Sequence, residues 1–162
     1  TKENLARYLK KLGRGFDVKY INKDGKEDQA IMIHRTILGS MERFFGVLIE
    51  HYAGAFPLWL APVQVTVIPI SEKYLDYAQK VKETLLLRSI RVEVDDGNET
   101  MQGKIRAATL QKVPYMVILG EREEKNHNLS VRTRKGLDLR DQEIEKFTDQ
   151  ITKEIKSKSF TV

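Results

Sequence analysis

Short apolar runs alternate with stretches of helical periodicity in the second half of the chain. Residues 63–70, 90–94 and 115–119 are nearly continuous in apolar side chains, which is typical of strands buried on both faces of a sheet. Between these runs, apolar residues recur at steps of three and four, first at Tyr74, Leu75, Ala78, Val81 and Leu85, then at Met101, Ile105 and Ala108. This order of strands and helices predicts an α/β fold with a mostly parallel sheet covered by helices.

The last third of the chain adds one strand and one helix after a polar loop. Residues 129–134 alternate strictly, so Ser130, Arg132 and Arg134 should share one face of a strand. The C-terminal helix is predicted from the spacing of Ile144, Phe147, Ile151 and Ile155.

The first third of the chain predicts a short helix, a hairpin and a long helix. Residues 4–12 have helical spacing, and residues 16–21 and 30–34 read as strands around a turn at 22–25. Residues 36–52 carry two adjoining apolar rows, which predict a heavily buried helix that Gly54 should end. Residues 55–62 contain two prolines and are interpreted as a linker, so we expect domains at 1–58 and 59–162.

Composition excludes several classes of protein. The 162 residues include no cysteine, which rules out disulfides and all-thiolate zinc sites. No apolar run approaches the ~20 residues that cross a membrane, and the N-terminus lacks the apolar core of a signal peptide. A cytoplasmic protein without a membrane partner is therefore expected.

The net charge of +5 is concentrated in one stretch, between Gly103 and Gly136. Three acidic residues there face eight basic ones: Lys104, Arg106, Lys112, Arg122, Lys125, Arg132, Arg134 and Lys135. A local positive field suits a polyanion such as RNA, although a solvated basic surface gives the same count.

Several ordered blocks carry a family resemblance. The stretch HRTILGSMER, residues 34–43, resembles motif 3 of class II aminoacyl-tRNA synthetases. The longer string IMIHRTILGSMERFFGVLIEHYAG, followed by FPLWLAPVQV, resembles threonyl-tRNA synthetases in particular. Downstream, KIRAATLQKVPYMVILGEREE and LSVRTRKG are similar to the anticodon-binding domain of that family. The resemblance, from about Phe16 onward, implies a mostly parallel or mixed five-stranded sheet, preceded by an α+β remnant of the catalytic domain.

In the catalytic remnant, the resemblance implies three ancestral site residues. Arg43 corresponds to the arginine that contacts ATP phosphate, and Ser40 to a residue near the aminoacyl-adenylate; a surface arginine paired with Glu42 is the alternative for Arg43. His34 matches one of three ligands of the zinc that recognises threonine, although a lone histidine is more often simply hydrogen-bonded. His51 and His127 are interpreted as structural or solvated.

The parent enzyme is expected to be an ATP- and Mg²⁺-dependent threonine–tRNA ligase, dimeric through motif 1. Motifs 1 and 2 and the other two zinc ligands fall outside these residues, so this chain alone is not expected to aminoacylate tRNA or to bind a cofactor. The stretch LARYLKKLGRG, residues 5–15, departs from the family pattern. It is either a decayed natural remnant or an end altered to stabilise a fragment.

In the second half, the resemblance implies contacts with the anticodon of threonine tRNAs. Glu123 and Arg132 match positions that discriminate the second and third anticodon bases, G and U. The other predicted contacts are base-edge or phosphate groups, namely Asn98, Glu99, Lys104, Arg106, Lys112 and Arg134. The alternatives are a turn former for Asn98, a solvated acid for Glu123 and a salt-bridged strand face for Arg132 with Arg134.

Two departures weaken the expected affinity. Gly97 stands where the family has arginine, and Gln102-Gly103 replaces a glycine-aromatic pair. Stacking of a base on an aromatic ring is worth about 1–3 kcal/mol. We therefore weigh a tRNA-binding module against two alternatives. One is a chain that complements a separate catalytic fragment, and the other is an accessory interaction protein that reuses the fold.

Overall fold

The computed structural model describes residues 18–31 and 37–159, and the chain divides into two compact units, Thr1–Phe44 and Phe45–Val162. This division falls inside a helix, and the expected boundary between 1–58 and 59–162 stays a prediction. The helix predicted at 4–12 and His34 lie outside the described residues.

The first unit contains the predicted hairpin, with strands β1 (Lys19–Ile21) and β2 (Glu27–Gln29) antiparallel. The sequence predicts the second strand at 30–34, whereas β2 ends at Gln29, and residues 32–34 of that prediction lie outside the described residues. Asn22 closes a tight turn, because its N–H donates to the Lys26 carbonyl at 2.9 Å and its side chain accepts from the amides of Asp24 and Lys26. The turn places Glu27 opposite Ile21, so β2 pairs with β1 from its first residue.

Helix α1 (Met41–Tyr52) begins five residues later than its apolar pattern predicts. Gly39 has a left-handed φ of +66°, which interrupts helical backbone before Ser40. The predicted end is confirmed, since Gly54 has φ +76° and its N–H donates to the Ile49 carbonyl at 3.0 Å.

The prediction that this helix is heavily buried is wrong for the part of the chain that the structure describes. No residue of α1 is buried there, and the side chains of Phe45 and Ile49 are each 52% exposed. Helical periodicity shows which face is apolar, but it does not show what packs on that face.

The second unit is built on the predicted five-stranded mixed sheet. Its strands are β3 (Val65–Pro69), β4 (Val92–Val94), β5 (Tyr115–Leu119), β6 (Asn128–Thr133) and β7 (Asp138–Glu143), in the order β4-β3-β5-β6-β7. The first three strands are parallel to one another, and the last two join antiparallel. Four helices accompany them: α2 (Leu75–Leu87), which follows a 3-10 turn at Glu72–Tyr74, α3 (Met101–Leu110), α4 (Glu121–Asn126) and α5 (Ile144–Ser157).

Two cores lie on opposite faces of the sheet. The larger one joins α2 and α5 to the strands through side chains such as Val81, Val117, Leu129 and Phe147. The smaller one joins α3 to β3 and β5 through Ala108, Ile68 and Met116. No helix among those described is both long and apolar enough to cross a membrane.

Two elements of this unit were not predicted. Helix α4 occupies the predicted polar loop, and its six residues, EREEKN, have no apolar periodicity. Strand β7 has the sequence DLRDQE, and most of its side chains are exposed.

The segment 53–62, called the connector below, is fastened to the second unit. Leu58 is fully buried in the larger core. The connector's backbone carbonyls accept hydrogen bonds from four side chains of this unit: Gln64 to Leu58, Arg91 to Trp59 and Ala61, Lys112 to Ala53, and Arg134 to Phe56. The segment interpreted as a linker is therefore a packed part of the α/β unit.

Candidate nucleic-acid interface

The candidate site lies at the carboxyl ends of the parallel strands, where helices leave towards opposite faces of the sheet. Helix α2 follows β3 on one face and α3 follows β4 on the other, which makes a crevice beyond β3 and β5. Ile70 and Gly120 follow these two strands. A Cβ on Gly120 would stand 2.8 Å from Ile70 Cδ1, so glycine permits their close approach.

A groove opens beside this crevice, on the part of the sheet that α3 leaves uncovered. Its apolar floor includes Ile70, Ile105 and Ile118, and its polar wall includes Glu123 and Arg132. The strict alternation of β6 explains the wall, because Leu129 and Val131 are buried in the core while Ser130 and Arg132 point the other way.

Both carboxylate oxygens of Glu123 are held in place. Oε1 accepts from the Ser130 hydroxyl at 2.7 Å, and Oε2 accepts from the Gly120 N–H at 3.0 Å. Gly120 precedes α4, so Glu123 also satisfies a free amide at the start of that helix. The carboxylate therefore faces the groove in a fixed orientation, with lone pairs still available on each oxygen.

Arg132 lines the same groove in a looser arrangement. Its Nε is 3.7 Å from Asp138 Oδ1, and its side chain is 39% exposed. Arg132 and Asp138 are cross-strand neighbours on β6 and β7. The ion pair is weak enough at this distance and exposure to yield to a ligand.

Asn98 and Glu99 line a second, neighbouring cleft, and Ile70 borders both cavities. Both residues are exposed in the loop between β4 and α3. Thr100 caps α3 by accepting from the Gly103 N–H at 3.2 Å, which fixes where this loop ends. The structure thus brings Asn98 and Glu99 to one cleft and Glu123 and Arg132 to the next, with Ile70 lining both.

Three predicted RNA-binding cations have other partners. Lys104 is buried, and its Nζ donates to the Asp95 carbonyl at 2.8 Å. Lys112 Nζ donates to the Ala53 carbonyl, and Arg134 Nη1 donates to the carbonyls of Phe56 at 2.9 Å and Lys112 at 3.2 Å. Their contacts with RNA stay predictions, while in the structure each of them holds the protein backbone.

Arg134 does not share the groove with Arg132, although the period of two placed them on one face. Strand β6 ends at Thr133, so Arg134 leaves the pleat, and its own N–H donates to the Pro114 carbonyl. Burial lowers the pKa of the Arg134 guanidinium. Arg106, by contrast, is exposed on α3.

Two further cations of this stretch are ion-paired. Arg122 binds Asp141, which lies outside the stretch, with two contacts of 2.8 and 3.0 Å. Lys125 pairs with Glu121, which raises the pKa of the Lys125 ammonium, but Glu121 is already counted in the net charge of the stretch.

The residues of the motif 3 resemblance are described only in part. Ser40 and Arg43 are exposed at the start of α1, and the Ser40 hydroxyl donates to Glu42 Oε2 at 2.6 Å, which lowers the pKa of that carboxyl. Across residues 18–31 and 37–159, no three His, Cys, Asp or Glu side chains come together as potential metal ligands. His51 packs edge-on against Tyr52, and His127 caps α4 in a left-handed conformation.

The sequence reasoning missed Arg140 and Gln102 as residues that line the groove. It also missed the role of Ser130, although the alternation placed Ser130 beside Arg132. Arg140 had no such signal, because β7 itself was not predicted.

Comparisons with known proteins agree with this geometry. The family described as "Anticodon binding domain" matches residues 64–154. The chain is 53% identical over 143 residues to a threonine–tRNA ligase of Thermotoga neapolitana, and 54% identical over 144 residues to that of Caldanaerobacter subterraneus subsp. tengcongensis. These matches cover 88% and 89% of this chain but 22% of each relative, so the chain spans less than a quarter of their length.

Solved structures give the same picture. The RNA binding domain of threonyl-tRNA synthetase from Cryptosporidium parvum Iowa II is 33% identical, with a TM-score of 0.64, over 93% of this chain and 37% of that one. A prolyl-tRNA synthetase from Cryptosporidium parvum shares the fold at 21% identity and a TM-score of 0.58, over 92% of this chain and 34% of that one. The resemblance to threonyl-tRNA synthetases that the sequence predicted is confirmed.

Proposed function

The chain belongs to the anticodon-binding domain family, and we propose that it recognises the anticodon of threonine tRNAs as part of a threonyl-tRNA synthetase. The observation that carries this proposal is the groove in which the fixed Glu123 carboxylate and the Arg132 guanidinium stand beside an apolar floor. Proteins read RNA sequence mainly from unstacked loop bases, through apolar packing and hydrogen bonds to base edges.

The two side chains have complementary chemistry. Glu123 accepts hydrogen bonds, so it suits a base edge that presents N–H groups, as guanine does with two adjacent donors. Arg132 donates, so it suits a base edge that presents carbonyl oxygens, as uracil does. Together they fit the G and U that stand second and third in threonine anticodons, and the apolar floor supports the base planes.

The neighbouring residues extend this surface. Asn98 and Glu99 in the adjoining cleft can bond a further base edge, and Arg106 on α3 can approach a phosphate. Lys104, Lys112 and Arg134 contribute indirectly under this proposal, because their side chains hold the backbone that carries the site. The absence of an arginine at Gly97 and of the glycine-aromatic pair at Gln102-Gly103 lowers the expected affinity.

The whole enzyme is part of the same proposal. In a longer polypeptide like the relatives, this domain would deliver tRNA to an ATP- and Mg²⁺-dependent ligase that acts in the cytoplasm as a homodimer. Arg43 and Ser40 would then stand near ATP and the adenylate. Zinc, like ATP and Mg²⁺, belongs to the proposed whole enzyme, and the one implied ligand in this chain, His34, lies outside the described residues.

The test is a binding titration of the full chain with threonine tRNA and with versions in which the second or third anticodon base is changed. We expect each change to weaken binding by about 5- to 150-fold, the range for loss of a good base contact. Glu123→Gln and Arg132→Gln should shrink that discrimination. Arg88→Gln is the matched control, since Arg88 also forms a single exposed ion pair at 3.7 Å, with Asp149 on α5.

Equal binding of an unrelated tRNA at moderate salt would contradict the specific proposal. That result would favour a non-catalytic interaction module that keeps the fold without reading the anticodon.

A further inference from the structure

A bulge in β7 adds a cation, Arg140, to the lining of the groove, and the sequence pattern does not predict it. Leu129 pairs with Gln142 and Val131 pairs with Leu139, so two residues of β7, Arg140 and Asp141, stand opposite the single Ser130. Asp141 has a left-handed φ of +54°. A bulge of this kind changes the direction in which its side chains point.

The two bulge residues take different directions. The Asp141 carboxylate contacts Arg122 at 2.8 and 3.0 Å and accepts from Asn128 Nδ2 at 3.0 Å, which ties the bulge to α4 and to the start of β6. Arg140 instead lines the groove with Ser130 and Arg132. Asp141 therefore holds the bulge in place, and Arg140 is the bulge residue that lines the groove.

The Arg140 guanidinium is available to a ligand. Its side chain is exposed, and the structure assigns it no hydrogen bond or ion pair among the described residues. The other two arginines of the groove, Arg122 and Arg132, face Asp141 and Asp138. A ligand that binds Arg140 does not have to displace a carboxylate.

We propose that Arg140 binds a phosphate of the two nucleotides whose bases Glu123 and Arg132 contact, an inference that rests on the proposed function. The guanidinium fork matches two phosphate oxygens, and its charge is permanent. Under the proposed function Glu123 and Arg132 meet the bases, which leaves Arg140, on the edge strand β7, to meet the RNA backbone. Phosphate contacts position a nucleic acid without reading its sequence.

The experiment compares Arg140→Gln with the unsubstituted chain in titrations of threonine tRNA and the anticodon-swapped versions at several salt concentrations. We expect affinity to fall about 10-fold for every tRNA, with the discrimination ratio unchanged. The slope of log affinity against log salt should decrease by about 0.7 to 1. Arg140→Lys should keep the slope and recover part of the affinity, and Arg88→Gln should change neither quantity.

Each other outcome has a definite meaning. An unchanged affinity and salt slope for Arg140→Gln, in a chain that still discriminates anticodons, overturns the inference and leaves the proposed function intact. A changed discrimination ratio makes Arg140 a base contact and overturns the phosphate assignment. If the unsubstituted chain binds tRNA without discrimination, the proposed function fails while the salt slope still decides on Arg140. If it binds no tRNA, both fail.

Discussion

At the scale of single residues, the pair of Tyr115 and Glu154 links the sheet to the C-terminal helix. The Tyr115 hydroxyl donates to Glu154 Oε2 at 2.8 Å, and Phe147 packs edge-on against the same ring. Glu154 Oε1 is buried and has no hydrogen-bond partner among the described residues. Burial raises the pKa of the Glu154 carboxyl, and the bond from Tyr115 offsets part of that rise.

This pair predicts how stability depends on pH. Because the folded pKa of Glu154 is raised, its stabilising contribution is complete below the unfolded pKa and is lost as pH rises through the folded pKa. Glu154→Gln keeps an acceptor for Tyr115 and removes the buried charge. We expect this variant to melt at a higher temperature than the parent near neutral pH, with the difference vanishing at about pH 4.

Thermal melts from about pH 4 to about pH 8 measure this difference. Glu145→Gln, on the exposed side of the same helix, is the control. A Glu154→Gln effect that is independent of pH, or a loss of stability near neutral pH, would contradict the prediction.

Ser130 gives a second prediction at this scale. Its hydroxyl orients Glu123 without itself carrying charge, so Ser130→Ala should reduce discrimination at one anticodon base by less than Glu123→Gln does. The cost in folding stability should be about 0.5–1.5 kcal/mol, as for one hydrogen bond. Anticodon titrations and urea unfolding measure both quantities. Ser157→Ala, which removes an exposed hydroxyl bond in α5, should leave discrimination unchanged.

At the scale of elements, the sequence predicts those parts whose side-chain pattern reports burial directly. Strands β3 and β5 are buried almost throughout, so their apolar runs mark them on both faces. Helix α4 is not predicted in this way, because it is short and the contacts at its start are polar: Glu123 accepts from the Gly120 amide, and Glu121 pairs with Lys125. Strand β7 is not predicted, because its bulge breaks the alternation of side chains that identifies a strand in a sequence.

The residues of the candidate site likewise divide into those whose position the side-chain pattern predicts and those whose position it does not predict. The alternation of β6 correctly separated Arg132 from the core, and the turn after β4 correctly placed Asn98 in an exposed loop. The partners of Lys104 and Arg134 were not predictable. Each donates to a backbone carbonyl that folding brings near. Every residue has such a carbonyl, so the sequence does not show which one will accept the hydrogen bond.

The connector is bonded to the rest of the unit through the side chain of Arg91. The Arg91 guanidinium donates three hydrogen bonds to the carbonyls of Trp59 and Ala61, at 2.7 to 3.0 Å. Arg91→Ala leaves these carbonyls unpaired and should lower the free energy of unfolding by about 1–3 kcal/mol. Arg91→Lys should recover only part, since one ammonium does not reproduce the planar fork.

Urea unfolding of the three proteins measures this loss. Arg88→Ala, three residues earlier and with a single ion pair at 3.7 Å, is the control and should change the midpoint little. An Arg91→Ala midpoint equal to that of the control would show that the connector is not held by these bonds.

At the scale of the whole molecule, the folding unit is longer than the stretch that the family match defines. The match begins at residue 64, yet Leu58 lies in the larger core and the connector carbonyls satisfy four side chains. A fragment of residues 64–162 should therefore be less stable than one of residues 45–162, by more than the about 2–5 kcal/mol expected for Leu58→Ala. Because domains are stable by only about 5–15 kcal/mol, the shorter fragment should be partly unfolded.

Circular dichroism melts of the two fragments, with Leu58→Ala in the longer one as the reference, measure this difference. Equal melting temperatures for the two fragments would mean that the connector adds nothing to the fold.

The charged, bulged strand β7 also affects how these molecules behave at high concentration. The sheet ends on β7 at one side and on the three-residue β4 at the other. A bulge together with Asp138, Arg140, Asp141 and Glu143 makes β7 a poor template for an incoming strand, and β4 is too short to be one. Neither border of the sheet favours edge-to-edge growth into aggregates, so the edge strand that we propose faces RNA also discourages the addition of a protein strand.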